Sequence, residues 1–228
     1  MTLPEGSGDF DLGLKITTQD GDDMTVSEGT IPVDVPDSDI EGSDLTGTNQ
    51  DDILEGGAGD DTITGEGGDD TLIGGVGDDV MDGGNHDDIL EGGAGDDTMD
   101  GGNHADTLIG GTGNDTMNGG QHDDILDGGA GNDIMDGGHG NDLFIFGDGD
   151  GKDYVNGGDG WLDTIDLEGV DAGPSDNLEQ VGDWTLDTND DFAWGDGQIV
   201  FDSEDASGTI TLFDGTEIDF ENIEKIEW

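Results

Sequence analysis

Residues 86–126 read HDDILEGGAGDDTMDGGNHADTLIGGTGNDTMNGGQHDDIL. A pair of glycines returns every nine residues, followed by an aspartate and then an aliphatic residue, while the histidine that opens the stretch returns only every eighteen. One feature with half the period of another points to a chain that reverses direction once per unit and comes back to the same side after two.

Working outward, eleven blocks of nine run without a gap from Gly47 through Ile145. Their sixth position is always aspartate: Asp52, Asp61, Asp70, Asp79, Asp88, Asp97, Asp106, Asp115, Asp124, Asp133 and Asp142. Their eighth position is always apolar, and the alternate blocks differ. One series reads Leu54, Leu72, Leu90, Leu108, Leu126, Phe144, and the other Ile63, Met81, Met99, Met117, Met135. Two irregular blocks, DGDGKDYV and GGDGWLDTI, add Asp153 with Val155 and Asp163 with Ile165. The segments DDILEGGAGDDTI from 51 and DDILEGGAGDDTM from 87 suggest growth by duplication of two coils.

A glycine pair permits the positive φ of a tight turn. Three residues with one apolar side chain between two outward ones make a very short strand. The expected unit is a six-residue turn plus a three-residue strand. Blocks then alternate between two parallel sheets, and equivalent residues stack about 4.8 Å apart from coil to coil. A leucine column would face a methionine column across a core one side chain thick.

The blocks follow GGxGxDxUx, with U a large apolar residue. Over roughly residues 38–168 the chain closely resembles the hemolysin-type, or repeats-in-toxin (RTX), calcium-binding family. The resemblance implies an all-β fold, a right-handed parallel β-roll with two nonapeptides per coil, and calcium between turns of same-side blocks. The implied ligands are the eleven regular aspartates with Asp153 and Asp163, together with carbonyls of the glycine-rich turns. Those glycines include Gly57, Gly59, Gly75, Gly77, Gly93, Gly95, Gly111, Gly113, Gly129 and Gly131. Pairing neighbouring same-side blocks gives roughly eight to eleven ions.

Composition points the same way. Sixty-one acidic residues face three lysines and no arginine, a formal charge of −58. Nucleic acid and anionic membrane surfaces both require basic patches and are excluded as electrostatic partners. Cations are the natural partners. Stacked aspartates about 5 Å apart repel by about 3 kcal/mol per pair at an effective dielectric of 20, so the coil needs a counter-ion. Six or more oxygen ligands in a flexible shell suit calcium better than magnesium. The fifth position is usually Asp or Asn but tolerates Ala105, which fits a supporting hydrogen-bond role.

There is no cysteine, hence no disulfide and no thiolate site. No apolar run approaches the roughly 18 residues of a membrane span. The start, MTLPEGSGDFDLGLK, lacks the basic and apolar regions of a cleaved signal peptide. Residues 1–37 read as a leader or N-terminal cap. Residues 169–228 open with a polar loop and continue as a β-rich C-terminal cap, with Trp184, Trp194, Phe201, Phe213, Phe220 and Trp228 forming a small core. In RTX proteins an uncleaved export signal follows the repeats. The resemblance therefore implies a secreted, extracellular or cell-surface protein handled by type I secretion machinery. Neither HExxH nor GxSxG occurs, and no catalytic role is expected. A structural or adhesive component, or the repeat-bearing piece of a larger secreted enzyme, stays open as an alternative.

Two surface features stand out. His86, His104 and His122 take the fourth, normally glycine, position of successive same-side blocks. They are either a ladder for a transition metal or a proton, or turn residues whose side chains face solvent. Ile53, Ile73, Ile89, Ile109 and Ile125 lie on the outer face of the leucine sheet. They mark either a surface covered by a flanking segment, a partner or a second copy, or plain β-propensity. Similar exposure of the two outer faces would favour the latter.

Overall fold

A computed structural model describes residues 23–25, 32–34, 42–147, 150–167, 184–195, 197–203, 205–212 and 214–228. Most of the expected leader, residues 168–183 of the polar loop, and Phe213 lie outside the described residues. Within them the chain is all strand and turn, in two sheets of eleven strands each.

The registers follow the sequence period. Leu90 pairs with Leu108, and Leu108 with Leu126, in one sheet; Met99 pairs with Met117, and Met117 with Met135, in the other. All of these pairings are parallel, so the chain is a parallel β-solenoid with eighteen residues per coil. The two columns meet as expected. Every member from Leu54 to Phe144 is 0 or 1% exposed, and the outward neighbours alternate with them.

The strands are longer than the glycines suggest. Where three residues are expected, six are found, as in Ile89–Ala94, Thr98–Asn103 and Thr107–Thr112. The glycine pair and the residue after it continue the extended chain and pair with the next coil, Gly111 with Gly129 and Thr112 with Ala130. Pairing skips only the first glycine of each pair, such as Gly110. The turn proper is therefore positions four to six. Glycine is needed in the strand because the coils approach too closely for a side chain. At Gly93 φ is +109°, and a Cβ would lie 2.3 Å from the Gly75 carbonyl oxygen.

At the C-terminal end the chain makes one more parallel coil. Glu217–Glu221 pairs with Lys152–Asn156, and Lys225–Glu227 with Thr164–Leu167. Strands then switch to antiparallel: Ser207–Leu212 and Trp184–Thr188 extend one sheet, Gln198–Phe201 and Phe192–Gly195 the other. Phe201 and Phe220 are buried with rings 5.8 Å apart. They do not form a separate core, because one apolar cluster runs from Leu45 to Ile226. A solenoid end exposes core and strand edge, and this segment seals it by continuing both sheets. At the other end Asp23–Thr25 and Pro32–Asp34 pair in parallel with Asp44–Thr46 and Ile53–Ala58.

The isoleucine face is bare of any covering segment among the described residues. Ile53, Ile89, Ile109 and Ile125 are 36–47% exposed, while Val80 and Ile134 on the opposite sheet are 50 and 52% exposed. The two outer faces are alike in exposure, so no described segment covers the isoleucines. Branched side chains suit a pleated strand.

Because Leu90 is sealed in the column and its neighbour Ile89 faces out, the two should respond differently to truncation. Leu90→Ala is expected to cost about 2–5 kcal/mol, and Ile89→Ala under about 1 kcal/mol. Urea unfolding in saturating calcium measures both.

Candidate metal centre

The sixth-position aspartate is the last residue of each turn and immediately precedes a strand, as Asp88, Asp97 and Asp106 precede Ile89–Ala94, Thr98–Asn103 and Thr107–Thr112, and its side chain is buried under the turn. All thirteen predicted aspartates, from Asp52 to Asp163, are at most 3% exposed. Their two oxygens have separate roles. Oδ1 accepts the backbone N–H of the aspartate one coil earlier, at 2.7–2.9 Å, from Asp52 N–H on Asp70 through Asp142 N–H on Asp163. This ladder locks the coils in register.

Oδ2 is different. In Asp70, Asp79, Asp88, Asp97, Asp106, Asp115, Asp124, Asp133, Asp142, Asp153 and Asp163 it is buried and has no hydrogen-bond partner. Buried polar atoms are normally satisfied, and an unpaired buried carboxylate oxygen is costly. It faces a cradle left by glycine. A Cβ on Gly92 would sit 2.4 Å from Asp97 Oδ2 and 2.7 Å from the Gly110 carbonyl oxygen of the next coil. Gly74 repeats this with Asp79 Oδ2 and Gly92. A carboxylate oxygen and a carbonyl oxygen thus converge on a space that holds no proton donor. A cation resolves that arrangement.

The predicted glycines shape these turns. Gly57, Gly59, Gly75, Gly77, Gly93, Gly95, Gly111, Gly113, Gly129 and Gly131 all have positive φ. They serve the edge that carries Asp61 to Asp153. On the opposite edge the fourth position is filled by His86, His104 and His122, with φ of 81, 84 and 81°. Their side chains are exposed and stack at 5.1 and 5.2 Å between ring centroids. The geometry is that of turn residues holding a left-handed backbone with the side chain in solvent.

Among the described residues no three His, Cys, Asp or Glu side chains are grouped to hold a metal. An ion here takes its charge from the aspartates and must complete its shell from backbone carbonyls. That is hard-oxygen chemistry of the kind calcium accepts, with six to eight ligands and loose geometry. The residues present fit the ion.

The fifth-position side chains make a second ladder that runs the other way. Oδ1 of Asp51, Asp60, Asp78 and Asp123 each accepts the N–H of the residue one coil later, at 2.8–3.0 Å. The alanine exception cannot do this, although Ala105 still donates to Asp87. Sequence reasoning missed one member of the sixth-position ladder. Glu224 is buried, pairs in register after Asp163 and accepts the Asp163 N–H at 2.7 Å. The signal was present, since Glu224-Lys225-Ile226-Glu227 mirrors Asp163-Thr164-Ile165-Asp166 with a longer acid.

The comparison with known families agrees with this geometry. The RTX calcium-binding nonapeptide repeat matches residues 46–81, 82–117 and 118–151. Over that stretch the chain carries RTX calcium-binding nonapeptide repeats, wound as a parallel β-roll. Among curated proteins, none matches the chain.

Burial raises these carboxyls, the earlier coil's N–H partly counters it, and neighbouring aspartates push further up. From 3.8 they rise to about 6 in Asp88, Asp97, Asp133 and Asp142, about 7 in Asp70, Asp79, Asp106, Asp153 and Asp163, and about 8 in Asp124. A raised folded-state value means that folding takes up protons. The stability is present below the unfolded value and is lost as pH climbs through the folded values. Without calcium, β-structure should therefore strengthen on acidification from about pH 8 to about pH 4. Calcium needs the ionised ligand, so half-saturation should move to higher calcium over the same range. Circular dichroism at fixed calcium and at zero calcium reads both. Separately, Ala105→Asn supplies the missing rung and should raise stability in calcium by about 1 kcal/mol, measured by thermal melting.

Proposed function

We propose that this chain is a secreted module whose folding is driven by calcium, with ions held between successive turns along both edges. The supporting observation is the row of buried, unpartnered Oδ2 atoms from Asp70 to Asp163. Each is a site that the protein leaves unsatisfied by its own groups. With a formal charge of −58 and stacked carboxylates, the metal-free coil opposes its own compaction. Ions that bind only the folded turn stabilise it in proportion to their occupancy.

This gives calcium a role in location. At low intracellular calcium the chain stays extended and can be threaded through a type I export channel; in millimolar external calcium it winds into the β-roll. RTX repeat proteins are typically secreted, and among the described residues no helix is long and apolar enough to cross a membrane. We assign roughly eight to eleven ions and no catalysis. The module acts through its calcium-set shape and surface.

Far-UV circular dichroism of chelated protein, titrated separately with calcium and magnesium, tests the reading. A coil-to-β transition is expected with calcium and not with equal magnesium. Full β signal in excess chelator at pH 7.5 would refute ion-driven folding.

A further inference from the structure

The first turn of the regular repeat is built differently from those that follow. In it, Asp52 Oδ2 receives two hydrogen bonds, from the Thr48 backbone N–H at 2.7 Å and from the Thr48 hydroxyl at 2.9 Å. The same hydroxyl accepts the Gln50 N–H at 3.2 Å. The oxygen that faces a donor-free cradle in the later turns is here saturated by the protein itself.

The backbone differs as well. In the turns that follow on this edge, positions two and four both have positive φ: Glu66 and Gly68, Gly84 and His86, Gly102 and His104, Gly120 and His122, Gly138 and Gly140. In the first turn these positions are Thr48 and Gln50, and neither is among the residues with positive φ. A β-branched threonine strongly resists that conformation. The peptide groups between positions two and four are therefore set differently in the first turn from those in the turns that follow.

We infer that Thr48 stands in place of an ion: Asp52 is not a calcium ligand, and the calcium column on its edge begins with Asp70. The inference rests on the calcium reading above and narrows it. Of the thirteen aspartates that the repeat nominates, Asp52 then serves as a hydrogen-bond acceptor in a closed, ion-independent end turn. That turn still donates the Asp52 N–H to Asp70 Oδ1 at 2.8 Å, so it presents the first rung of the ladder without needing metal. The column thus starts on a turn whose shape the sequence sets alone, and calcium is required only from the next coil onward.

Native mass spectrometry of the full chain in calcium counts bound ions directly. Asp52→Asn is expected to bind as many ions as the parent, whereas Asp88→Asn in mid-column binds fewer. The double variant Thr48→Gly/Gln50→Gly restores the repeat pattern and is expected to bind one more. An Asp52→Asn protein that loses an ion as Asp88→Asn does would overturn the inference, as would a double variant that gains none. A parent chain that binds no calcium at all would instead sink the calcium reading itself, so the two failures are distinguishable.

Discussion

The structure depends on a carboxylate whose two oxygens answer to different partners. From Asp70 onward one oxygen of each sixth-position aspartate takes the N–H of the coil before it, and this bond is complete without any ion. In the aspartates from Asp70 to Asp163 the other is buried and has no hydrogen-bond partner. Register and metal dependence therefore reside in the same side chain. An asparagine could hold the register, but it would bring an N–H₂ or a neutral oxygen where charge is wanted. Glutamate would overreach in a regular turn, and appears only as Glu224, where the last turn is shortened.

From that constraint the remaining features follow. The aspartate must be inside, so the chain around it must be thin, and glycine supplies the thinness. The core is left with one apolar residue per nine, which is enough only because the columns stack without gaps from Leu45 to Ile226. Burial of so many acids raises their proton affinity, and the same burial makes a divalent ion the natural replacement for the proton. The histidines fit this economy of space: on one edge they take a left-handed turn position that glycine holds on the other.

Much of this was legible in the chain. The period gave the two sheets, and the eighth-position residues gave the columns that the structure buries at 0 or 1% exposure. The sixth-position aspartates could be nominated because position six never varies while position three does. What was not legible has physical causes. Glycine reads as turn by propensity, yet Gly111 and Gly129 pair in strands, because close approach between coils overrides propensity. Asp52 obeys the repeat, but its turn has Thr48 and Gln50 at positions two and four, and the two Thr48 donors become visible only in the folded turn. Glu224 lies 61 residues beyond Asp163 in the chain and outside the regular repeat, so nothing local announces its place in the ladder. The isoleucines stood out because one sheet was compared with the other by residue type; burial by a flanking segment was not legible, and the structure leaves the aliphatic side chains of both faces similarly exposed.

The eighteen-residue coil also restricts how such a chain can change its length. An insertion of one residue within a strand turns the apolar column outward and the neighbours inward, and every later coil inherits the error. An insertion of nine keeps each aspartate under a turn but exchanges leucine for methionine stacks and glycine for histidine edges. A gain or loss of eighteen leaves each residue beside the kind of neighbour it had before. The near-identical segments at 51–63 and 87–99 lie two such steps apart. The irregular spacings, Asp133 to Asp153 and Asp142 to Asp163, occur only where the regular stack is ending. In this architecture, length is inherited in whole coils, and departures from that rule collect at the ends where no further coil has to read them.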